Sequence, residues 1–163
     1  MTRTAKSHLD DLTPRARLDE GAIHDLLGYQ LAQATIITSA SFEQEVGRPF
    51  ELRPVEFTLL QLILENIGVS PTRLAHALAV KTSGITVWID RLEARNLVLR
   101  ERSAADGRAQ HLRLTTDGKA LVTKAVHRLL QADHKLLQHL SPGEQKILVE
   151  LLRKVSRARA VHA

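Results

Sequence analysis

Two clusters of side chains carry the chemistry this chain can offer. In the first, Thr82, Ser83, Thr86, Val87 and Arg91 fall within ten residues; in the second, Asp106 and Arg108 flank a glycine. Hydroxyls bond base edges or phosphate oxygens, a guanidinium pairs with phosphate, and a valine can meet a thymine methyl. On a short turn, the aspartate can hold the arginine in one orientation, which suits entry into a narrow, strongly negative minor groove. Both clusters fit contact with double-stranded DNA. Each also has an ordinary reading: Thr82 and Ser83 can simply cap a helix, and Arg108 can be a solvated arginine on a turn.

Bond-breaking chemistry has no comparable foothold. The chain lacks a glycine-rich phosphate loop, a nucleophile elbow and a paired-histidine metal motif. It has no cysteine, which excludes disulfides, thiolate metal sites and thiol redox sensing, and Met1 is its single methionine. His127 and His134 share a helical stretch at i, i+7, a spacing too wide for two ligands on one ion. His76 either touches phosphate or contacts nothing. No catalytic residue, metal or cofactor is expected. One Trp, one Tyr and three Phe are too few for the stacking platforms of single-strand binders.

The elements that must position these clusters follow from periodicity and punctuation. Residues 1–18 have little apolar pattern and read as a polar arm, either disordered or docked on a partner. Helical spacing then runs from 18 to about 46 through Ile23, Leu26, Leu27, Leu31, Ala34 and Ile37. Gly47, Pro49 and Pro54 interrupt it, and residues 55–66 form a second helix ended by Gly68. Ser70-Pro71 reads as an N-cap followed by proline at the first helical position, opening a short helix over 71–78. Three residues later a further helix starts at Thr82 or Ser83 and reaches about Arg95. Its stripe of Ile85, Trp88, Ile89 and Leu92 faces a core, so Ser83, Thr86, Val87, Asp90 and Arg91 face outward. Trp88 on that stripe is a packing residue. From Leu97 the period changes to two: residues 97–102 and 110–114 are strands joined by a loop containing Asp106-Gly107. Helical spacing returns from Thr115 or Thr116 to Leu140, and the capping box Ser141-Pro142-Gly143-Glu144 opens the last helix.

Two short helices three residues apart, followed at once by a hairpin, form a winged helix-turn-helix. The predicted fold is mainly α, with a two-stranded wing and long N- and C-terminal dimerisation helices. Residues 51–115 are the DNA-binding region, and 19–50 with 116–163 the helical dimerisation region. A homodimer follows because three long helices remote from the wing have more apolar surface than one chain covers. The net charge of +5 is concentrated centrally: nine Lys/Arg against five Asp/Glu fall between Ser70 and Lys119. That distribution favours a polyanionic partner. The absence of a leading apolar run and of any ~20-residue apolar stretch predicts a cytoplasmic protein with no membrane contact.

Taken together, several segments resemble the MarR family of regulators. They are Leu26-Leu27-Gly28-Tyr29, Leu52-Arg53-Pro54-Val55-Glu56-Phe57-Thr58-Leu59-Leu60 and Leu74-Ala75-His76-Ala77-Leu78. More specific are Ile89-Asp90-Arg91-Leu92-Glu93 with Asn96-Leu97-Val98, then Asp106-Gly107-Arg108, then Leu114-Thr115-Thr116-Asp117-Gly118. The resemblance implies a triangular homodimer with interlocked first, fifth and sixth helices, and Arg108 entering the minor groove with Asp106 as its partner. It also implies a small-molecule effector, of unknown identity, bound between winged domain and dimer helices by residues the sequence leaves unnamed. The chain departs from the family pattern at Val87, where many members are polar or basic, and at Gly84, where serine or threonine is common. The expected function is repression of a promoter with a pseudo-palindromic operator whose half-sites lie ~10 bp apart, relieved by the ligand. The alternative is a winged helix used for protein contact without specific DNA binding.

Overall fold

In the computed structural model, which describes residues 12–102 and 110–158, local capping chemistry sets most of the helix boundaries. The order is a 3-10 turn Gly21–Ile23, α1 Leu27–Phe42, a π-helical turn Glu43–Gly47 and a single turn α2 Arg48–Phe50. There follow α3 Pro54–Glu65, α4 Pro71–Leu78, α5 Thr82–Ala94, β1 Val98–Arg102, β2 Gln110–Leu114, α6 Thr116–Leu136 and α7 Pro142–Arg157. The chain divides into two compact units, Met1–Ser41 and Phe42–Ala163.

In the N-terminal unit the expected helix from residue 18 is not formed. Residues 12–19 close a turn, with Thr13 N donating to Leu18 O at 2.9 Å and a bridge between Leu12 and Asp19. The helix proper starts only at Leu27. The physical reason is a polar cluster that competes with helical pairing. Tyr29 OH donates to Glu20 Oε1 at 2.8 Å, His24 Nδ1 lies 2.8 Å from Glu20 Oε2, and Gln33 Nε2 donates to the Tyr29 hydroxyl at 2.9 Å. These bonds from His24 and Tyr29 hold the Glu20 carboxyl below its ordinary range, and the same carboxylate pushes the Tyr29 hydroxyl upward. α1 buries none of its residues.

The second unit holds the core. Leu59, Leu60 and Ile63 of α3, Leu74 and Ala75 of α4, and Ile85, Ile89 and Leu92 of α5 are buried together with Val98, Leu112, Val122 and Ala125. The helix-turn-helix forms as the sequence predicts. Ser70 Oγ accepts from Arg73 N at 3.3 Å, and Ala79 at φ 52° makes the left-handed turn that ends α4. β1 and β2 pair antiparallel with Val98 opposite Leu114 and Arg102 opposite Gln110. An unforeseen third edge joins them: Val69 bridges Leu112, so the α3–α4 connection is stitched to the hairpin.

The base of the hairpin is tied to α6 by Thr115, whose hydroxyl donates to Asn96 O at 2.7 Å and accepts from Gly118 N at 2.9 Å. Gly118 has no room for a side chain, since a Cβ there would lie 2.0 Å from Leu97 O. α6 stops at Leu136 instead of Leu140. The freed carbonyls of Leu137 and Leu140 accept from Gln145 Nε2, both at 3.0 Å. Ser141 and Glu144 form the expected capping box of α7. No described helix is long and apolar enough to cross a membrane.

Candidate nucleic-acid interface

α5 presents one face to solvent because its other face is committed. Ile85, Ile89 and Leu92 are fully buried and Trp88 packs against the same core, which leaves Ser83, Thr86, Val87 and Asp90 on the opposite, exposed strip. Val87 is 51% exposed, an apolar contact surface among hydroxyls. Thr86 Oγ1 donates to Thr82 O at 3.1 Å, so its hydroxyl offers an approaching group a lone pair. Lys81, not Thr82 or Ser83, is the N-cap, with an extended backbone and no side-chain cap bond. Thr82 and Ser83 are thus the first helical residues, beside free backbone N–H groups of the kind that attract phosphate. A Cβ on Gly84 would meet the Trp88 ring at 3.7 Å, an ordinary contact, so the small residue there is not forced by packing.

Arg91 sits at the edge of this strip and leans toward α3. Its Nη1 lies 4.0 Å from Glu56 Oε1, and the buried Glu56 carboxylate also accepts from Arg53 N at 2.9 Å to start α3. The Arg91 side chain remains 46% exposed, free to turn outward. Asp106 and Arg108 lie outside the described residues.

Several residues that were not among the predicted site residues lie in its neighbourhood. Lys81, Thr72, Arg73 and His76 are exposed around the two helices of the motif. Arg100 reaches from β1 to α5, pairing with Asp90 and, through Nε at 3.3 Å, with Glu93. Strand alternation was the available signal, since it puts Arg100 on the face of the buried Val98. Arg95, at the end of α5, donates to the carbonyls of Phe50 and Glu51, both at 2.8 Å. The Phe50 ring in turn lies under Lys124 and Arg128 of α6, at 5.9 and 5.7 Å, and Arg128 Nη2 donates to Glu45 at 3.0 Å. His76, His127 and His134 are all exposed, and no group of three His, Asp or Glu among the described residues is arranged to hold a metal.

Known proteins share both the sequence pattern and this geometry. Residues 52–109 match the model of the MarR family. A putative transcriptional regulatory protein for the hcr operon of Thauera aromatica is 28% identical over 142 residues, 87% of this chain and 86% of that protein. The transcriptional repressor CouR, solved bound to a 23-mer DNA duplex, superposes with a TM-score of 0.80 at 29% identity, covering 86% of this chain and 99% of that one. Bordetella bronchiseptica BpsR, whose DNA binding is regulated by 6-hydroxynicotinic acid, is 30% identical, with a TM-score of 0.72 over 81% of this chain and 94% of that one. The motif match, the winged helix-turn-helix and these near full-length likenesses agree: this chain belongs to the MarR family of winged-helix transcriptional regulators.

Proposed function

We propose that the protein is a sequence-specific, double-stranded DNA-binding repressor that acts as a homodimer and leaves its operator when a small molecule binds. The observation that carries this reading is the exposed strip of α5, small and polar, on a chain that matches the duplex-bound repressor CouR over nearly its whole length. Thr82, Ser83, Thr86 and Val87 enter the major groove, and Arg91 swings from Glu56 to a phosphate. Asp106 orients Arg108 at the wing tip for the minor groove, as the sequence pattern implies. Residues 51–115 form the reading region, while 19–50 and 116–163 supply the dimer contacts. The open apolar residues of α7, Ile147, Leu148, Leu151, Leu152 and Val155, support that assignment. The regulation of BpsR by an aromatic acid supports an effector of the same chemical class. The protein works in the cytoplasm and catalyses no reaction.

The test is a salt-titrated binding assay with the DNA upstream of the protein's own gene and a scrambled duplex of equal length. Promoter-preferring binding that weakens steeply with salt supports the reading. Arg108→Ala should cost ~1–3 kcal/mol of specific binding with dimerisation intact. Equal, weak binding to both duplexes would instead favour a winged helix that contacts protein.

A further inference from the structure

The outward strip of α5 contains an oddity for a helix read as approaching a polyanion: it carries two carboxylates, Asp90 and Glu93, one turn apart. Left bare, both would repel phosphate. Neither is bare. Arg100, from β1, donates through Nη2 to Asp90 Oδ1 and places Nε 3.3 Å from Glu93 Oε2. The Nε contact is an ion pair too skewed to count as a directed hydrogen bond, and that nitrogen is shielded from water. The arginine side chain is only 22% exposed, whereas the two carboxylates are 55% and 42% exposed. Its strand neighbours fix it: Val98, on the same face of β1, is fully buried, and Arg100 sits opposite the buried Leu112 in the ladder.

We infer that Arg100 is a positioning residue for DNA binding: without touching DNA, it locks the hairpin to α5 and offsets one of the two negative charges that Asp90 and Glu93 place on the reading helix. This role rests on α5 being the DNA-reading helix, as proposed above. The geometry separates Arg100 from the other arginines of the region. Arg91 has a distant partner at 4.0 Å and Arg113 is half exposed with one at 3.4 Å, so either can exchange its carboxylate for a phosphate. Arg100 faces two acids at once and has little open surface through which to leave them. A two-acid, one-base cluster also has a defined failure. Removing the base takes the local charge on the helix from −1 to −2 and releases the strand, whereas removing all three leaves a neutral face.

The experiment uses the full chain and a duplex enriched by the wild-type protein from a random-sequence pool. Arg100→Ala should weaken binding about tenfold without changing the salt slope. In the Asp90→Asn/Glu93→Gln background, the same substitution should change affinity by less than about twofold. An equal loss in both backgrounds, or a slope reduced by about one, would make Arg100 a phosphate contact and overturn the inference. Unchanged affinity in the single variant would overturn it too. Hydrogen exchange without DNA provides an independent readout. Arg100→Ala should speed exchange in residues 98–102 and 110–114 while residues 59–63 of α3 stay protected, and unchanged protection of the hairpin would remove the clamp. If the wild type enriches no duplex, the DNA-binding proposal itself fails, and the exchange result alone decides whether Arg100 holds the hairpin.

Discussion

The winged half of the molecule and α7 draw on the same aliphatic residues, yet only the first closes on itself. Buried apolar side chains among the described residues run from Val46 to Ala125, contributed by α3, α4, α5, the hairpin and the first half of α6. α7 buries none, although Ile147, Leu151 and Val155 repeat at helical spacing and stand about half exposed. Hydrophobic periodicity is therefore present in both regions, and what differs is the presence of a facing surface. An amphipathic helix with an intact cap and an open stripe is built to be covered, whereas the winged half is already a finished core. The two should respond to substitution in different ways: damage to the winged half shows as lost folding, and damage to α7 as lost association.

The most disruptive single change should be Gly118→Ala. The added methyl would overlap the Leu97 carbonyl, and because the obstacle is backbone the first turn of α6 must lift from the base of the hairpin. A loss of ~3 kcal/mol in urea unfolding is expected; a loss below ~1 kcal/mol would show that this junction yields easily. Next in size is Leu151→Glu on α7, which should weaken the dimer by ~2 kcal/mol or more in sedimentation equilibrium. The unfolding midpoint of the winged half, followed by Trp88 fluorescence at low protein concentration, should barely move. A large fall in that midpoint would erase the contrast between the two regions. Smaller still, and opposite in sign, is Ala79→Gly. Ala79 holds φ 52° in the turn between α4 and α5, where glycine carries no Cβ penalty. About 1 kcal/mol of added stability is expected in the same assay, sharpening the view that the winged half is limited by local backbone strain.

The smallest effect should appear with pH, at the cap of α7. Hydrogen bonds from Ser141 hold the Glu144 carboxyl below its ordinary range. Its contribution is therefore fully present above the pKa of the unfolded chain and is lost as pH falls through the lower folded value. Circular dichroism of wild type and Glu144→Gln should differ near neutral pH and converge in acid. A difference that persists at low pH would place the effect elsewhere.

How much of this was legible in the sequence depended on how local the cause was. The starts of α4 and α7 follow from Ser70-Pro71 and Ser141-Pro142, because a cap is a contact across three residues. The exposed face of α5 followed from the spacing of Ile85, Ile89 and Leu92. The start of α1 did not, because the apolar period between residues 18 and 26 is overruled by Glu20 bonding residues four and nine positions away. The ties made by Arg95 and Val69 to Phe50 and Leu112 span more than forty residues and have no one-dimensional trace. Arg91 looked like a simple outward cation because Glu56, its neighbour in space, lies thirty-five positions earlier.

The seat of Gly118 on Leu97 also has a mechanical meaning. α6 is 21 residues long, so at ~1.5 Å per residue it extends about 30 Å from a point fixed against the hairpin base. Because Val122 and Ala125 also bury the first half of the helix, it tilts together with the winged core and acts as a lever carried by that core. A tilt of ~5° at the seat displaces the far tip by roughly 3 Å over that length, about the width of one hydrogen bond. The same ratio applies in reverse: a nudge of a few ångströms near Leu136 reaches the foot of the wing as a small rotation, with the Gly118 contact as its fulcrum.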